Sequence, residues 1–271
     1  MNLPRSLFVL CLAACAGPSA FECGASGDYC SVEGGEYLAQ VPKTWNGSDL
    51  LPTFVHYHGF GGTAQLLSDS GFHDPMMDEN VLAIYPNSID GRWGFRNGPS
   101  GDMRDELAFY DAIINDVRQR GMPIDEGRLV VSGFSIGASM AWEIGCARGD
   151  DLLAIAPVSG ALWLPLPQEC SNPPPKIRQE HGTADTVFPM EGRKLGDSWQ
   201  QGPVQGSIDL FVEARGCSST FQTEVIDDQE CKVWVQCDGG GEARLCVHDG
   251  DHRVTNGWHA RTSKWLFEQN E

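Results

Sequence analysis

Ser135 sits at the centre of Gly133-Phe134-Ser135-Ile136-Gly137. A serine flanked in this way can occupy a tight turn, because the glycines carry no side chains to collide with neighbouring backbone. Its hydroxyl is then exposed as a candidate nucleophile. The oxygen is unreactive at its ordinary pKa, so a histidine base and an acid that orients that histidine are required as well. The plain alternative is a Gly/Ser loop that only packs between two elements. The context favours chemistry, since Leu129-Val130-Val131 reads as a buried strand before the turn and an Ala-rich helix follows it.

Where a nucleophile follows a strand in this manner, the acid comes later in the chain and the histidine last. Asp185, in His181-Gly182-Thr183-Ala184-Asp185, follows a strand-like run and is the expected acid. Asp209, Asp227 and Asp228 lie in less favourable segments. Of the histidines beyond the acid, His248 ends a predicted strand, His259 falls in the last helix, and His252 follows the polar turn Asp249-Gly250-Asp251. A loop beyond a strand suits a base, so His252 is the expected one and His248 the alternative. His56, His58, His73 and His181 precede or adjoin the acid and are assigned loop hydrogen bonds and core polar contacts.

Attack by serine on a carbonyl generates an oxyanion that needs N–H donors. The Ile136 amide, next after the serine, is one expected donor. The second is expected from the loop Tyr57-His58-Gly59-Phe60-Gly61-Gly62, with Phe60 as the donor. This loop lacks the Lys-Ser/Thr ending of a phosphate-binding loop. A Ser/His/Asp set needs neither metal nor cofactor, and no Cys-x-x-Cys pair suggests a zinc site.

Strands and helices must alternate to place these residues. Strands are predicted at 37–41, 53–58, 81–85, 128–132, 153–158, 177–181, 219–225, 232–236 and 243–248. The segment 102–120 has apolar residues at helical spacing, from Met103 and Leu107 to Ile114 and Val117, and ends at Gly121. Further helices are expected at 138–146, about 191–200 and about 255–269. Alternation of this kind predicts an α/β fold, a mostly parallel central sheet with helices on both faces.

The 271 residues, 41% of them apolar, are enough for a sizeable core. No Pro/Ser/Gly linker divides them, so residues 21–271 are read as one domain. A net charge of −18 makes nucleic acids and anionic membrane surfaces poor partners, and a monomer is expected. Residues 6–16 form an apolar run of eleven, far short of the roughly twenty that cross a bilayer. With Arg5 before it and small residues after it, this run reads as the core of a signal peptide spanning 1–20. Within it Leu12-Ala13-Ala14-Cys15 resembles a bacterial lipobox, which would lipidate Cys15; ordinary cleavage after Ala16 or Ala20 is the alternative. Eight cysteines remain outside this segment, and an exported chain is expected to pair them as four disulfides. Sequence spacing leaves the connectivity open, except that Cys231 and Cys237 flank an apparent strand and should not pair with each other.

Several motifs occur in order: His58-Gly-Phe-Gly-Gly, Tyr85-Pro-Asn, Gly91-Arg-Trp, Arg128-Leu-Val-Val-Ser-Gly-Phe-Ser-Ile-Gly, Ile155-Ala-Pro-Val-Ser-Gly, His181-Gly-Thr-Ala-Asp and Asp249-Gly-Asp-His. Together they resemble the secreted α/β-hydrolase esterases that include polyhydroxybutyrate-depolymerase-like proteins and the feruloyl esterases of carbohydrate esterase family one. The resemblance runs from about Tyr37 to Phe267. It implies the α/β-hydrolase fold, triad roles for Ser135, Asp185 and His252, and hydrolysis of carboxylic esters. It also implies disulfides Cys146–Cys170 and Cys217–Cys237, which leave Cys231–Cys246 and Cys23–Cys30.

The chain departs from the family at Asp251, where relatives often carry glycines, and an adjacent carboxylate is expected to raise the His252 pKa. Polymer-degrading members commonly have an additional substrate-binding domain for which no residues remain here. The expected substrates are therefore feruloyl or acetyl esters of plant polysaccharides, with polyhydroxyalkanoate oligomers as the alternative. A serine peptidase, an acyltransferase and a non-catalytic polysaccharide-binding protein are the remaining readings. Trp93, Phe95, Trp163 and Phe188 are candidates for an aromatic acyl pocket, their plain role being core packing.

Overall fold

The computed structural model describes residue 23, residues 28–101 and residues 103–267. The signal peptide expected at 1–20, with Cys11 and Cys15, lies outside the described residues. Twelve strands and six α-helices follow in the order β1 (Cys30–Val32), β2 (Gly35–Gln40), β3 (Leu51–Tyr57), α1 (Ala64–Asp69), α2 (Asp74–Asp78), β4 (Leu82–Pro86), α3 (Glu106–Gln119), β5 (Ile124–Phe134), α4 (Ile136–Arg148), β6 (Ala154–Val158), β7 (Lys176–Gly182), β8 (Lys194–Leu195), β9 (Trp199–Gln200), α5 (Val204–Ala214), β10 (Gln222–Ile226), β11 (Gln229–Trp234), β12 (Glu242–His248) and α6 (Trp258–Phe267). Ten strands form one sheet in the order β1-β2-β4-β3-β5-β6-β7-β12-β11-β10. The six from β4 to β12 run parallel, and the outer pairs on each side are antiparallel. This is the α/β-hydrolase arrangement, with helices on both faces.

Local chemistry accounts for the elements. Every residue of β3, Leu-Pro-Thr-Phe-Val-His-Tyr, is buried, so it shows no polar alternation; both its faces are covered, as in other parallel sheets. Helix α3 starts where the Asp105 carboxylate accepts from the Ala108 N–H, and it buries Phe109, Tyr110, Ile113, Ile114 and Val117. Its start lies later than the expected 102 because the cap sets it. The helix expected at 191–200 does not form. Gly192 and Gly196 take positive φ values of 69° and 64°, each would cost about 1 kcal/mol in a helix, and the segment folds instead as the β8–β9 hairpin. The next helix, α5, begins only after Pro203. Helices α1 and α2, of six and five residues, are too short to show a 3.6-residue period and were not expected. No helix among the described residues is long and apolar enough to cross a membrane.

One helical layer holds a buried histidine group. His56 on β3 and His73 before α2 pack edge to face at 4.7 Å, and His73 meets His259 of α6 at 5.4 Å. Trp258 and Phe72 complete the cluster. Both ring nitrogens of His73 lack a hydrogen-bond partner among the described residues. Burial pushes His56 down to about 3 and His259 to about 4, and holds His73 well below its usual value. Above the ordinary 6.5 these rings are neutral in the folded and unfolded states alike. As pH falls below that value the unfolded chain takes up protons that the folded chain refuses, and stability is lost.

Four disulfides close the described chain: Cys23–Cys30, Cys146–Cys170, Cys217–Cys237 and Cys231–Cys246. Cys231 and Cys246 sit directly opposite each other on β11 and β12, and Cys146–Cys170 ties the end of α4 to the segment before β7.

Two outcomes follow for stability. His73→Phe removes one of the proton-refusing rings, so its melting temperature should fall less steeply than wild type between pH 6.5 and 4; identical acid limbs would refute the assignment. Opening the 24-residue Cys146–Cys170 loop with a double Ala variant should cost about 3 kcal/mol, a large share of a typical 5–15 kcal/mol. Alkylation and mass analysis of unreduced protein should find none of the eight cysteines modified.

Candidate active site

Strand register brings the site together. Tyr57 of β3 pairs with Gly133 of β5, so the loops leaving both strands emerge side by side. Ser135 then turns the chain from β5 into α4 with φ 58° and ψ −124°, a left-handed conformation costing about 1–3 kcal/mol for a residue with a Cβ. Packing pins it there. A Cβ at Gly133 would lie 2.2 Å from the Gly137 carbonyl oxygen, one at Gly137 would lie 2.0 Å from that of Tyr57, and one at Gly160 would lie 2.2 Å from that of Ser135 itself. The Ser135 N–H donates to Val158 O at 3.0 Å, and its carbonyl accepts from Ala138 and Ser139 of the first helical turn. The serine retains 8% exposure.

The other two residues arrive on the loops after β7 and β12. These strands pair Gly182 with His248. Gly182 has no room for a side chain, since a Cβ there would meet the Gly250 carbonyl oxygen at 2.3 Å. Thr183 and Ala184 donate their N–H groups to His248 O and Gly250 O at 2.8 and 3.0 Å, locking one loop to the other. Asp185 Oδ1 accepts from the Val187 and Phe188 N–H groups at 2.9 and 2.8 Å. Its Oδ2 lies 2.7 Å from His252 Nδ1, and His252 Nε2 lies 2.9 Å from Ser135 Oγ. A carboxylate can only accept, so Nδ1 carries the ring proton and Nε2 is left as the acceptor facing the serine. The geometry suits proton abstraction from the hydroxyl.

His181 lies beside Asp185 without competing for this role. Its Nε2 donates to Phe188 O at 2.7 Å, its Nδ1 faces the Gln179 amide at 3.2 Å, and burial lowers its pKa. It fixes the backbone that presents the acid.

The loop after β3 flanks the serine: a Cβ at Gly59 would lie 3.5 Å from Ser135 Cβ. His58 Nδ1 and the Gly62 N–H both donate to Gly59 O, at 2.8 and 3.1 Å. The Phe60 N–H is left out of these bonds, and its side chain is 73% exposed. The Ile136 N–H opens α4, where the helix provides no carbonyl for it. Both donors are available to an anion, and the helix N-terminus adds a favourable dipole.

The motif Gly91-Arg-Trp braces this loop. Gly61 donates to Gly91 O at 2.9 Å, and Trp93 Nε1 donates to His58 O at 2.8 Å. Buried Glu106 accepts from Gly94 and from Arg104, and Asn87 of Tyr85-Pro-Asn accepts from the Ala64 N–H.

A second brace holds the histidine loop. Glu180 on β7 is fully buried and accepts from Arg178 at 2.6 Å, Gln229 at 2.6 Å, Thr255 at 3.1 Å and Arg261 at 3.2 Å. Arg261 also donates to Asn256 O at 3.1 Å. This charge-assisted cluster joins β7, β11 and α6 to the segment following His252. Its members are scattered along the chain with no local pattern, and only the fold brings them together.

Other expected positions lie apart from the Ser135–His252 contact. His248 is buried, and its Nδ1 accepts from the Gly250 N–H at 3.0 Å. Asp251 is turned to solvent, 3.4 Å from Arg253. Trp93, Phe95, Trp163 and Phe188 belong to the main hydrophobic core with 0%, 5%, 2% and 1% exposure, so they present almost no surface to a substrate. Trp163 spends its N–H on Ser139 Oγ at 3.1 Å. Among the described residues no group of three or more His, Cys, Asp or Glu side chains is placed to hold a metal ion.

Comparison with known proteins gives a consistent picture. No family model matches the chain. Feruloyl esterase D of Neurospora crassa is 24% identical over 235 residues, covering 80% of this chain and 73% of its own. Feruloyl esterase C of Emericella nidulans is 23% identical, covering 87% and 84%. Among solved structures, the acetyl xylan esterase of Aspergillus awamori superposes with a TM-score of 0.61 at 15% identity, over 85% of this chain and 93% of its own. A ferulic acid esterase superposes at 0.52 with 15% identity, over 85% and 89%. The chain is similar, at low identity, to fungal feruloyl esterases, and its fold is that of the α/β-hydrolases.

Proposed function

We propose that the protein is an exported serine carboxylesterase acting on feruloyl or acetyl esters of plant polysaccharides. The observation that carries this is the unbroken hydrogen-bonded line from Asp185 through His252 to Ser135 Oγ, ending on a strained turn at a helix N-terminus. As Ser135 Oγ attacks the ester carbonyl carbon, its proton passes to His252 Nε2, and Asp185 holds the ring and the charge that develops on it. The carbonyl oxygen becomes an oxyanion facing the Phe60 and Ile136 N–H groups. Collapse breaks the bond to the alkoxy oxygen, which leaves with the proton from His252. Water then repeats the sequence on the acyl-enzyme, releasing the acid and restoring the serine.

The names of the relatives support feruloyl esters, and that of a structural neighbour supports acetyl xylan. None of those comparisons favours the polyhydroxyalkanoate alternative. The four disulfides support an oxidising compartment, in keeping with an export signal at 1–20. Residues 21–271 act as one catalytic unit in this reading. If the lipobox is used, intact-mass analysis of the mature protein will show a lipidated Cys15.

Ser135→Ala should reduce ester hydrolysis by up to roughly a millionfold without altering the melting curve, because the nucleophile acts as a unit with its base. A fluorophosphonate probe should label wild type at Ser135. Substantial residual turnover, or an unlabelled serine, would refute the assignment. A panel of methyl ferulate, acetylated xylan and hydroxybutyrate oligomers tests the substrate class, with cleavage of the last alone supporting the polyester alternative.

His252→Ala should abolish turnover with little change in folding. His248→Ala should retain turnover and lose about 1–2 kcal/mol of stability, since the Gly250 N–H loses its buried acceptor. The reverse pattern would move the base to His248. EDTA should leave the rate unchanged.

A further inference from the structure

A cleft of about 890 Å3 opens between α6 and the first halves of β5, β7 and β12. It lies at the edge of the sheet opposite the catalytic loops. Arg128 precedes Ser135 by seven residues along β5, and Lys176 precedes Gly182 by six along β7. At about 3.3 Å per residue, the cleft and the nucleophile are about 20 Å apart.

Its charge runs against that of the molecule. Although the chain carries a net charge of −18, six of its 19 lysines and arginines line this one cleft, facing only Asp227 and Glu242 among the lining residues. The arginine forks are largely spent on carboxylates. Arg178 and Arg261 share Glu180, Arg261 also meets Asp227, Arg244 holds Glu242 and Glu224, and Arg128 holds Asp125. Lys176 and Lys264 have no ion pair among the described residues. Two further donors are idle: Nε of Arg178, a residue 1% exposed, and Nε of Arg244 are buried without a hydrogen-bond partner. A buried N–H without an acceptor carries a desolvation cost that a bound acceptor relieves.

The unspent groups are two ammonium ions and two single N–H donors. They suit an anion held by point contacts, whereas a phosphate is best gripped by a free bidentate guanidinium. Around them the wall is apolar, with Leu153, Ile226, Phe267 and the ring of Trp265, whose indole N–H is spent on Glu242. A small inorganic ion would leave most of this volume to water, since it lies near the top of the range of small-molecule sites, about 300–1,000 Å3. A sugar ring has apolar C–H faces for such a wall, and a uronic acid adds the carboxylate.

We propose that this cleft binds an acidic saccharide, with the carboxylate of a uronic acid unit meeting Lys176 and Lys264 and the sugar ring lying against Trp265. That the ligand is a saccharide rests on the polysaccharide-ester reading. A uronate held here tethers the polymer to the enzyme, so that esters elsewhere on the same chain meet Ser135 at a raised effective concentration.

Calorimetric titration of the full chain with three probes tests this: xylotetraose, xylotetraose bearing one glucuronic acid branch, and inorganic phosphate. Wild type should bind the acidic oligosaccharide about tenfold or more tightly than the neutral one, and its affinity should fall as salt rises from about 0.05 to about 0.5 M. Lys176→Gln combined with Lys264→Gln removes two charges while leaving every arginine–carboxylate pair in place, and should weaken that binding about three- to tenfold with an unchanged melting curve. Lys264→Gln alone, at an exposed position of α6, should show a smaller loss. Lys194→Gln, on the β8–β9 hairpin and outside the cleft, should have no effect. Equal affinity for the two oligosaccharides, or lysine variants that bind as wild type does, would overturn the assignment. Phosphate that binds as tightly as the acidic oligosaccharide would overturn its saccharide part. Turnover of 4-nitrophenyl acetate by the same preparation reports separately on the esterase reading, so failure of the one is distinguished from failure of the other.

Discussion

The whole site depends on the close approach of α4 to the ends of β3 and β5. Backbone from Gly133, Gly137 and Gly160 packs around Ser135 at distances where a single added Cβ would overlap a carbonyl oxygen. That contact holds a non-glycine residue at positive φ, points its hydroxyl out of the sheet, and turns the first N–H of the helix toward the same space. Backbone strain of about 1–3 kcal/mol is small beside the burial of the surrounding core, so the fold can maintain it.

Register does the remaining assembly. Parallel pairing of β3 with β5 and of β7 with β12 delivers four loops to one edge of the sheet. Two of these loops are then braced. Trp93 and Glu106 steady the loop that carries Phe60, while the Glu180–Arg261 cluster steadies the segment after His252. Such a charge cluster would be costly in an apolar interior without full pairing. Here Glu180 accepts from four side chains, so its charge is used to position backbone.

The two aromatic groups differ in what they border. Trp93, Phe95, Trp163 and Phe188 fill the main core and hold loops by packing and by indole N–H bonds. Phe134 and Phe72, with the leucines of α1, face an open apolar cleft next to His252.

Much of this was legible in the sequence because the signals are local. Glycines two residues either side of Ser135, a buried strand before it and a helix after it are read directly from residue order, as are the strand-following loops of Asp185 and His252. The helix expected at 191–200 does not form because Gly192 and Gly196, at positive φ, outweigh the segment's charged, helix-like composition. Helix α1, with six residues, is too short to display a helical period, so residue order alone does not mark it. Aromatic residue type alone could not separate buried Trp93 from half-exposed Phe134, since burial depends on which elements cover a residue. The sequence by itself determined the fold class, the chain order of Ser135, Asp185 and His252, and the glycines that permit the turn. Only tertiary structure decided which aromatics border open space and which distant charges meet at Glu180, because both depend on long-range packing that residue order does not encode locally.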